Sequence, residues 1–387
     1  MSSSTGPKKT LSEPQKALPV MMAVDLSIGA LPLSDPNPRV GCVIAAADGE
    51  VLSTGHTQRA GGPHAEVMAL RAARDAGLDV RGATAYVTLE PCSHFGRTPP
   101  CCDALIEAGI GKVVVALQDP NPLVAGRGMA RLRAAGIDVE LLPADHPAAL
   151  QARELNIGFF SRMVRKTPWV RMKMASSMDG TTALSNGASQ WITGPDARAD
   201  GHAWRARASA VLTGIGTVQS DDPRLDVRLV ETQIQPKRVV VDSRLDISMN
   251  AKVLQAPGDV LIYTTQASGQ QAEKRAALAD KGVQVISCGP AEGKVDLPAM
   301  LRDLATREVN ELHLEAGHKL NGSFLREDLV DEILLYMAPK LLGPGAGLAN
   351  LGPYTELSQA REFAWMDATL VGTDLRLRAR PFGRTDF

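Results

Sequence analysis

The sequence predicts an α/β protein of two domains, on three observations. Its 387 residues exceed what one hydrophobic core ordinarily organises. Short β-rich runs alternate with helical patterns, the arrangement that yields sheets covered by helices. A basic, proline-terminated stretch, Ser161-Arg162-Met163-Val164-Arg165-Lys166-Thr167-Pro168, separates an early group of strand-like runs from a later, longer one. The expected division is a mobile tail at 1–18, a first domain at 19–160, a linker at 161–168 and a second domain at 169–387.

The tail is polar and carries Pro7 and Pro14. In the first domain, β-rich runs are read at 40–47, 83–89 and 112–117. Between the first two, Val67, Leu70 and Ala73 recur at helical spacing until Gly77, so a helix is expected to begin near His64. A second helical pattern, Ala104, Leu105 and Ala108, starts after Pro99-Pro100-Cys101 and stops at Gly109. In the second domain, strand-like runs are read at 169–174, 210–213, 238–241, 260–264, 283–287, 311–314 and 332–337, with helical patterns between several of them.

Composition narrows the function. A formal net charge of -1 lacks the basic excess of a nonspecific nucleic-acid binder. No apolar run approaches membrane-spanning length, and the N-terminus lacks the apolar core of a secretory signal, so a cytoplasmic location is expected. Five cysteines, an odd number, suit a reducing compartment better than a disulfide framework. Cys42 and Cys288 read as small core residues.

The stretch from His64 to Cys101 carries the clearest chemistry. His64-Ala65-Glu66 followed by Pro91-Cys92 has the form of a zinc deaminase signature, in which histidine and cysteines hold the metal and the glutamate moves protons. Three protein ligands leave a fourth tetrahedral position for water. Helix N-termini would favour thiolate at the cysteines. The usual spacing has two residues between the cysteines, whereas Ser93 through Pro100 intervene here; a loop of this length can still close, because its entropic cost grows only logarithmically. Cys102 rivals Cys101 for the second thiolate, and His94 is a rival ligand or a substrate contact. A closed zinc knuckle with a fourth protein ligand would give the same cysteines, but Glu66 and the proline before Cys92 weigh against it.

Asp35-Pro36-Asn37-Pro38 recurs as Asp119-Pro120-Asn121-Pro122. Both units dictate rigid turns, and they are either two similar turns or two walls of one pocket. Arg127, between Gly126 and Gly128, is a candidate for an anionic group there. Gly214-Ile215-Gly216 lacks the third glycine of a dinucleotide fingerprint, since position 219 is Gln219. The segments Gly214-Ile215-Gly216-Thr217-Val218 and Gly317-His318-Lys319-Leu320-Asn321-Gly322-Ser323 follow strand-like runs and could bring backbone amides to a pyrophosphate.

Together, His64-Ala65-Glu66, Glu90-Pro91-Cys92-Ser93-His94, Gly96-Arg97-Thr98-Pro99-Pro100-Cys101 and Asp119-Pro120-Asn121-Pro122 resemble the bifunctional riboflavin-biosynthesis deaminase and reductase family. Lys173, Ser177, Asp179-Gly180, Ser189-Gln190-Trp191-Ile192-Thr193, Thr217-Val218, Asp221-Asp222-Pro223 and Glu315-Ala316-Gly317 resemble its reductase half. The resemblance runs from about Val20 to the C-terminus. It departs from the family pattern at Met21 to Gly29, where a tyrosine is usual, and at Ala175-Ser176-Ser177-Met178.

The resemblance implies a cytidine-deaminase-like three-layer domain followed by a dihydrofolate-reductase-like domain. It implies zinc-dependent deamination of 2,5-diamino-6-(5-phosphoribosylamino)pyrimidin-4-one, then NADPH-dependent reduction of the ribosyl group to ribityl. His64, Cys92 and Cys101 would hold one Zn2+ per chain, and Glu66 would be catalytic. Ala175, Trp191, Thr217, Asp221, Ser243, Gly317, His318, Lys319, Leu320, Asn321, Gly322 and Ser323 would contact NADPH. Ser189, Arg205, Leu225, Arg228 and Glu315 would contact substrate, the arginines suiting its phosphate. Arg244 is a candidate for the adenosine phosphate, and Asp179 and Glu315 for the polar surroundings of the sugar. A homo-oligomer, dimer or tetramer, is expected, with no nucleic-acid or membrane partner. A nucleic-acid deaminase would want more aromatic surface than 4% aromatic residues provide, and a structural zinc module would show no turnover.

Overall fold

The structure, a computed structural model, describes residues 13–96, 98–122, 124–266, 269, 271–290 and 293–385. It divides into two compact units, Met1–Val164 and Arg165–Phe387.

The first unit runs α1 (Glu13–Ile28), β1 (Gly41–Ala45), β2 (Val51–His56), α2 (Ala65–Asp75), β3 (Thr84–Val87), α3 (Cys101–Glu107), β4 (Lys112–Val115), α4 (Arg127–Ala134), β5 (Asp138–Leu141), α5 (Pro147–Leu155) and α6 (Ile157–Arg165). Its sheet has the order β2-β1-β3-β4-β5. β1 is antiparallel to both β2 and β3, while β3, β4 and β5 are parallel. β1 is buried throughout, as expected of GCVIA in a sheet covered on both faces.

This topology fixes one edge. The start of β1 lies beside the ends of β2 and β3, since Gly41 pairs with His56 and Cys42 with Val87. The end of β4 lies there too, Val115 beside Val87. The segments carrying His64, Cys92 and both Asp-Pro-Asn-Pro units all leave or enter the sheet at this edge.

Two expected boundaries differ. Of the expected tail at 1–18, residues 1–12 lie outside the described residues, but Glu13 to Leu18 open α1, whose Val20, Ala23, Val24 and Ser27 are buried. Ser161 to Arg165, expected as linker, complete α6: Ile157, Phe159, Phe160 and Ser161 are buried, and Arg162 and Arg165 are half-buried.

The second unit runs β6 (Trp169–Ser177), β7 (Ala183–Leu184), α7 (Pro195–Arg207), β8 (Ala210–Gly214), α8 (Ile215–Asp221), β9 (Lys237–Val241), β10 (Val260–Thr264), α9 (Ala272–Asp280), β11 (Val283–Ser287), α10 (Leu297–Thr306), β12 (Glu311–Leu314), α11 (His318–Arg326), β13 (Glu332–Ala338), β14 (Gly345–Ala346), β15 (Ala364–Val371) and β16 (Asp374–Arg380). The nine-stranded sheet has the order β11-β10-β9-β8-β12-β6-β13-β16-β15; it is parallel from β11 to β13, and β16 and β15 close it antiparallel. Alternate strand residues serve two cores. Leu212, Val239, Leu261 and Tyr263 cluster with Met300, Leu304 and Phe324, whereas Val211, Val240 and Ile262 cluster with Val218, Leu278 and Val283.

A buried ion network locks β6 between its neighbours. Arg171 Nε donates to Glu332 Oε1 at 2.5 Å and Nη1 to Glu311 Oε2 at 2.7 Å. Arg380 joins through Glu332 Oε2, Arg207 through Glu311, and the Arg171 guanidinium lies 4.4 Å from the Trp204 ring centre. A one-residue register slip would strand these charges, at a cost of several kcal/mol per ion on the order of that known for unpaired buried charge.

Candidate active sites

The first site is assembled at the sheet edge by two helix beginnings. His64 is the N-cap of α2, and its extended backbone lets the ring face the β3–α3 connection. Cys101 is the first residue of α3, with Pro100 as N-cap. The loop after β3 returns Cys92 to the same point, where Cys101 N donates to Cys92 Sγ at 3.3 Å. His64 Nδ1 then lies 3.6 Å from Cys92 Sγ and 3.3 Å from Cys101 Sγ, and the three donor atoms all fall within 4.8 Å of one another. Ligand bonds of about 2.1 and 2.3 Å at the tetrahedral angle would separate nitrogen from sulfur by roughly 3.6 Å, so the donor set fits zinc.

Neither rival ligand joins. Cys102 turns the other way, its Sγ donating to the carbonyls of Pro91 at 3.3 Å and Gly128 at 3.5 Å, and burial pushes its thiol up to about 12. His94 is not part of the donor cluster. Thr98 Oγ1, 3.4 Å from His64 Nε2, engages the ring nitrogen that faces away from the sulfurs and so helps orient the imidazole.

Charge is shared unequally within the cluster. The hydrogen bond from Cys101 pulls the Cys92 thiol well down, and the same bond holds the proton on Cys101 and pushes that thiol up. His64 is raised, first by its hydrogen bond with Cys92. Glu66, two residues into the turn and only 3% exposed, has its carboxyl pushed up by burial, with the His64 charge opposing. It is the acidic residue of the first turn of α2.

Glu90 supports the cysteine loop from below. Its carboxylate accepts from the backbone of Asp119, Gly126 and Met129, tying the β3 loop to the start of α4. A Cβ on Gly128 would stand 2.0 Å from the Pro91 carbonyl, so only glycine permits this approach. Asp119 Oδ1 accepts from Asn121 N at 2.7 Å, an Asx turn, and burial lifts its carboxyl to about 7. Arg127 opens α4 rather than lying in a loop.

In the second unit several of the expected residues lie at the carboxyl ends of the parallel strands, the usual ligand edge of such sheets. Ala175 lies near the end of β6, Thr217 in α8 after β8, Ser243 after β9, and Glu315 after β12. Because β8 and β12 are neighbours, α8 and α11 begin side by side, and Gly317 N donates to Thr217 Oγ1 at 3.2 Å. The segment expected as a glycine loop is largely helical: Gly317 is the N-cap and His318, Lys319 and Leu320 form the first turn of α11. Asn321 and Gly322 are buried; Asn321 Nδ2 donates to Leu348 O at 3.1 Å, and a Cβ on Gly322 would meet Asn350 O at 2.0 Å. Ser323 Oγ donates to Lys319 O and accepts from Arg326.

Trp191 stands 62% exposed, with the Arg198 guanidinium 4.8 Å from its ring centre, and Ser189 is half-buried in the same connection. Asp221 ends α8 and is exposed. Ser243 Oγ accepts from Val295 N at 3.2 Å. Arg244 pairs with Asp246 at 2.9 Å and is otherwise exposed. Asp179 accepts from Ser177 and from the backbone of Leu342 and Gly343, so its carboxylate anchors a turn.

Arg205 and Glu315 meet across 110 residues as a bidentate pair, Nε to Oε1 at 2.5 Å and Nη2 to Oε2 at 2.8 Å. Lys173 Nζ is 4.0 Å and His313 Nε2 3.3 Å from the same carboxylate. Burial alone would raise Glu315, but Arg205 foremost, then Lys173, hold it well below the ordinary carboxylate range. Lys173 is lowered, chiefly by burial. Arg205 Nη1 also donates to Asp226 O at 3.0 Å, in the segment that carries Leu225 and Arg228. Asp226 and His202, whose Nδ1 accepts from Arg228 N, were not singled out from sequence. The alternation Arg224-Leu225-Asp226-Val227-Arg228 was the available signal for the former.

The chain matches the family described as the cytidine and deoxycytidylate deaminase zinc-binding region over residues 18–117, and that described as the RibD C-terminal domain over residues 168–375. It is 44% identical over 356 residues to the riboflavin biosynthesis protein RibD of Escherichia coli K12, spanning 88% of this chain and 93% of that one. To the RibD of Aquifex aeolicus it is 43% identical over 317 residues, 82% and 85% of the two chains. The solved structure of Acinetobacter baumannii RibD superposes with a TM-score of 0.85 at 41% identity, covering 95% of this chain and 99% of that one. A diaminohydroxyphosphoribosylaminopyrimidine deaminase/5-amino-6-(5-phosphoribosylamino)uracil reductase of Thermotoga maritima superposes with a TM-score of 0.84 at 32% identity, with the same coverage.

Proposed function

The chain belongs to the RibD family of riboflavin biosynthesis proteins, and from that premise we propose which residues carry its two activities. It is a bifunctional enzyme, a zinc-dependent deaminase in its first domain and an NADPH-dependent reductase in its second. The substrate we assign is 2,5-diamino-6-(5-phosphoribosylamino)pyrimidin-4-one, deaminated first and then reduced from ribosyl to ribityl. The convergence of His64, Cys92 and Cys101 beside buried Glu66 carries the reading.

His64 Nδ1 and the sulfurs of Cys92 and Cys101 would hold zinc. When bound, zinc supplies a Lewis-acidic position for water and NADPH supplies the reducing equivalent. Glu66 takes a proton from the attacking water on a carboxylate oxygen and returns it to the departing amine. A carboxyl raised by burial suits both halves of that transfer. In the second domain the amides that open α11, from Gly317 through Leu320, would receive the cofactor's pyrophosphate; Ala175, Trp191, Thr217, Asp221 and Ser243 would line its remaining length, and Asn321, Gly322 and Ser323 shape the helix that presents those amides. Ser189, Arg205, Leu225, Arg228 and Glu315 would position the substrate, with Glu315 held ionised by Arg205.

Residues up to Val164 are taken as the deaminase domain and those from Arg165 as the reductase domain. Five free cysteines support a reducing, cytoplasmic location, and a homo-oligomer, dimer or tetramer, completes the proposal.

Glu66→Gln tests the deaminase assignment. It should retain one zinc per chain by elemental analysis and lose deamination by roughly 100-fold or more, while still reducing supplied deaminated substrate. Retained deamination would remove Glu66 from the mechanism.

A further inference from the structure

Resting on the substrate reading of Arg205, Leu225, Arg228 and Glu315 above, we propose that Arg224 is a second guanidinium for the substrate's phosphate, set beside Arg228 by the shared carboxylate of Asp226. Asp226 takes one arginine on each oxygen: Arg224 Nε reaches Oδ2 at 2.8 Å, and Arg228 Nη1 reaches Oδ1 at 2.7 Å. The aspartate side chain is 5% exposed, whereas the arginines are 44% and 45% exposed. Each guanidinium therefore spends one donor on Asp226 and presents other N–H groups outward.

Charge demand points to the pair. A phosphomonoester carries about 1.5 to 2 negative charges at neutral pH. Arg205 already has its Nε and Nη2 on Glu315 and its Nη1 on Asp226 O, so its fork is engaged within the site. That leaves Arg228, half-neutralised by Asp226, as the remaining assigned cation. With Arg224 included, the Asp226 cluster gains a surplus positive charge and a second set of donors.

The segment is also fixed before any ligand arrives. Gln235 accepts from Val227 N and donates to Val227 O, both at 2.8 Å. Arg228 N donates to His202 Nδ1 at 3.2 Å, and Asp226 O receives Arg205. Leu225, buried with a left-handed φ of 57°, turns the chain between Arg224 and Asp226. A simple surface ion pair needs none of this support and would contribute little in such exposure. Preorganisation of two arginines lowers the ordering cost of anion binding. Asp226 is thus a positioning residue, and Arg224 and Arg228 are the contacts.

The test measures kcat/KM of the reductase step for the deaminated substrate with and without its 5-phosphate, in the zinc-loaded full chain. Arg224→Ala should lower the ratio of phosphorylated to dephosphorylated kcat/KM by about tenfold or more, chiefly through KM. Arg224→Lys, which keeps the charge without the fork, should recover part of the ratio. Arg228→Ala is measured alongside. If its ratio falls while that of Arg224→Ala equals wild type, this inference is overturned and the substrate reading stands; if neither ratio falls, both are overturned. Should the alanine variant fail to fold, Arg224→Gln, which keeps a donor for Asp226 without the charge, gives the same decision.

Discussion

Cys101 and Cys102 are adjacent, yet the helix they open sends their sulfurs in opposite directions, one toward His64 Nδ1 and the other toward the carbonyls of Pro91 and Gly128. Cys101→Ser should therefore reduce zinc from one ion per chain toward none and abolish deamination, whereas Cys102→Ser should keep the metal. Elemental analysis of the two purified variants checks this, and a metal-free Cys102→Ser variant with metal retained by Cys101→Ser would reverse the assignment. The His64, Glu66 and Cys92 positions were legible from local spacing, because a helix start and a proline-cysteine pair are short-range signals. Spacing alone leaves Cys101 and Cys102 open; the family resemblance favours Cys101, and the direction of the helix gives the physical reason. The Arg205–Glu315 pair was legible only as two separate candidates, since no local pattern announces a partner 110 residues away.

At the scale of elements, the zinc centre depends on α4 lying close beneath the cysteine loop. Gly128→Ala would place a methyl 2.0 Å from the Pro91 carbonyl and push Pro91-Cys92 outward. Zinc affinity should weaken by about 10- to 100-fold, as when a supporting contact behind a metal ligand is lost, and competition with a chelator measures it. An unchanged affinity would mean that the loop is not held by this contact. β10, β11 and β12 have the limits expected from sequence. β2, with Ser53 and Thr54 inside it, and β16, with arginines at alternate positions, were missed because their partners rather than their composition make them strands. The end of α6 reads as a linker in sequence because Arg162, Arg165 and Lys166 before Pro168 resemble a polar spacer, while the burial of Phe159, Phe160 and Ser161 makes it helix.

For the whole molecule, the residues proposed for the two activities lie in separate units, so removing zinc should act on one activity. Chelation should abolish deamination and leave NADPH-dependent reduction of supplied deaminated substrate near its starting rate; parallel loss of both would mean that the reductase depends on the metal. Acid should act on the reductase unit's buried ion network. Burial would raise Glu332, but Arg171, then Arg380 and Arg378, bring its carboxyl down to about 2, below the ordinary glutamate value of about 4.3 expected of the unfolded chain. The unfolded state therefore binds the proton first as pH falls, and stability present above about pH 4.3 is lost on the way to pH 2, on the order of 3 kcal/mol. Glu332→Gln should flatten that acid limb in denaturant titrations while lowering stability at neutral pH, and an unchanged acid limb would contradict the network's role. One chain that performs deamination and then reduction is tested by the product mass after incubating the zinc-loaded protein with the diaminopyrimidinone ribotide and NADPH. The expected product has an amine exchanged for oxygen and two hydrogens added; an unchanged substrate mass would rule out both activities in this chain.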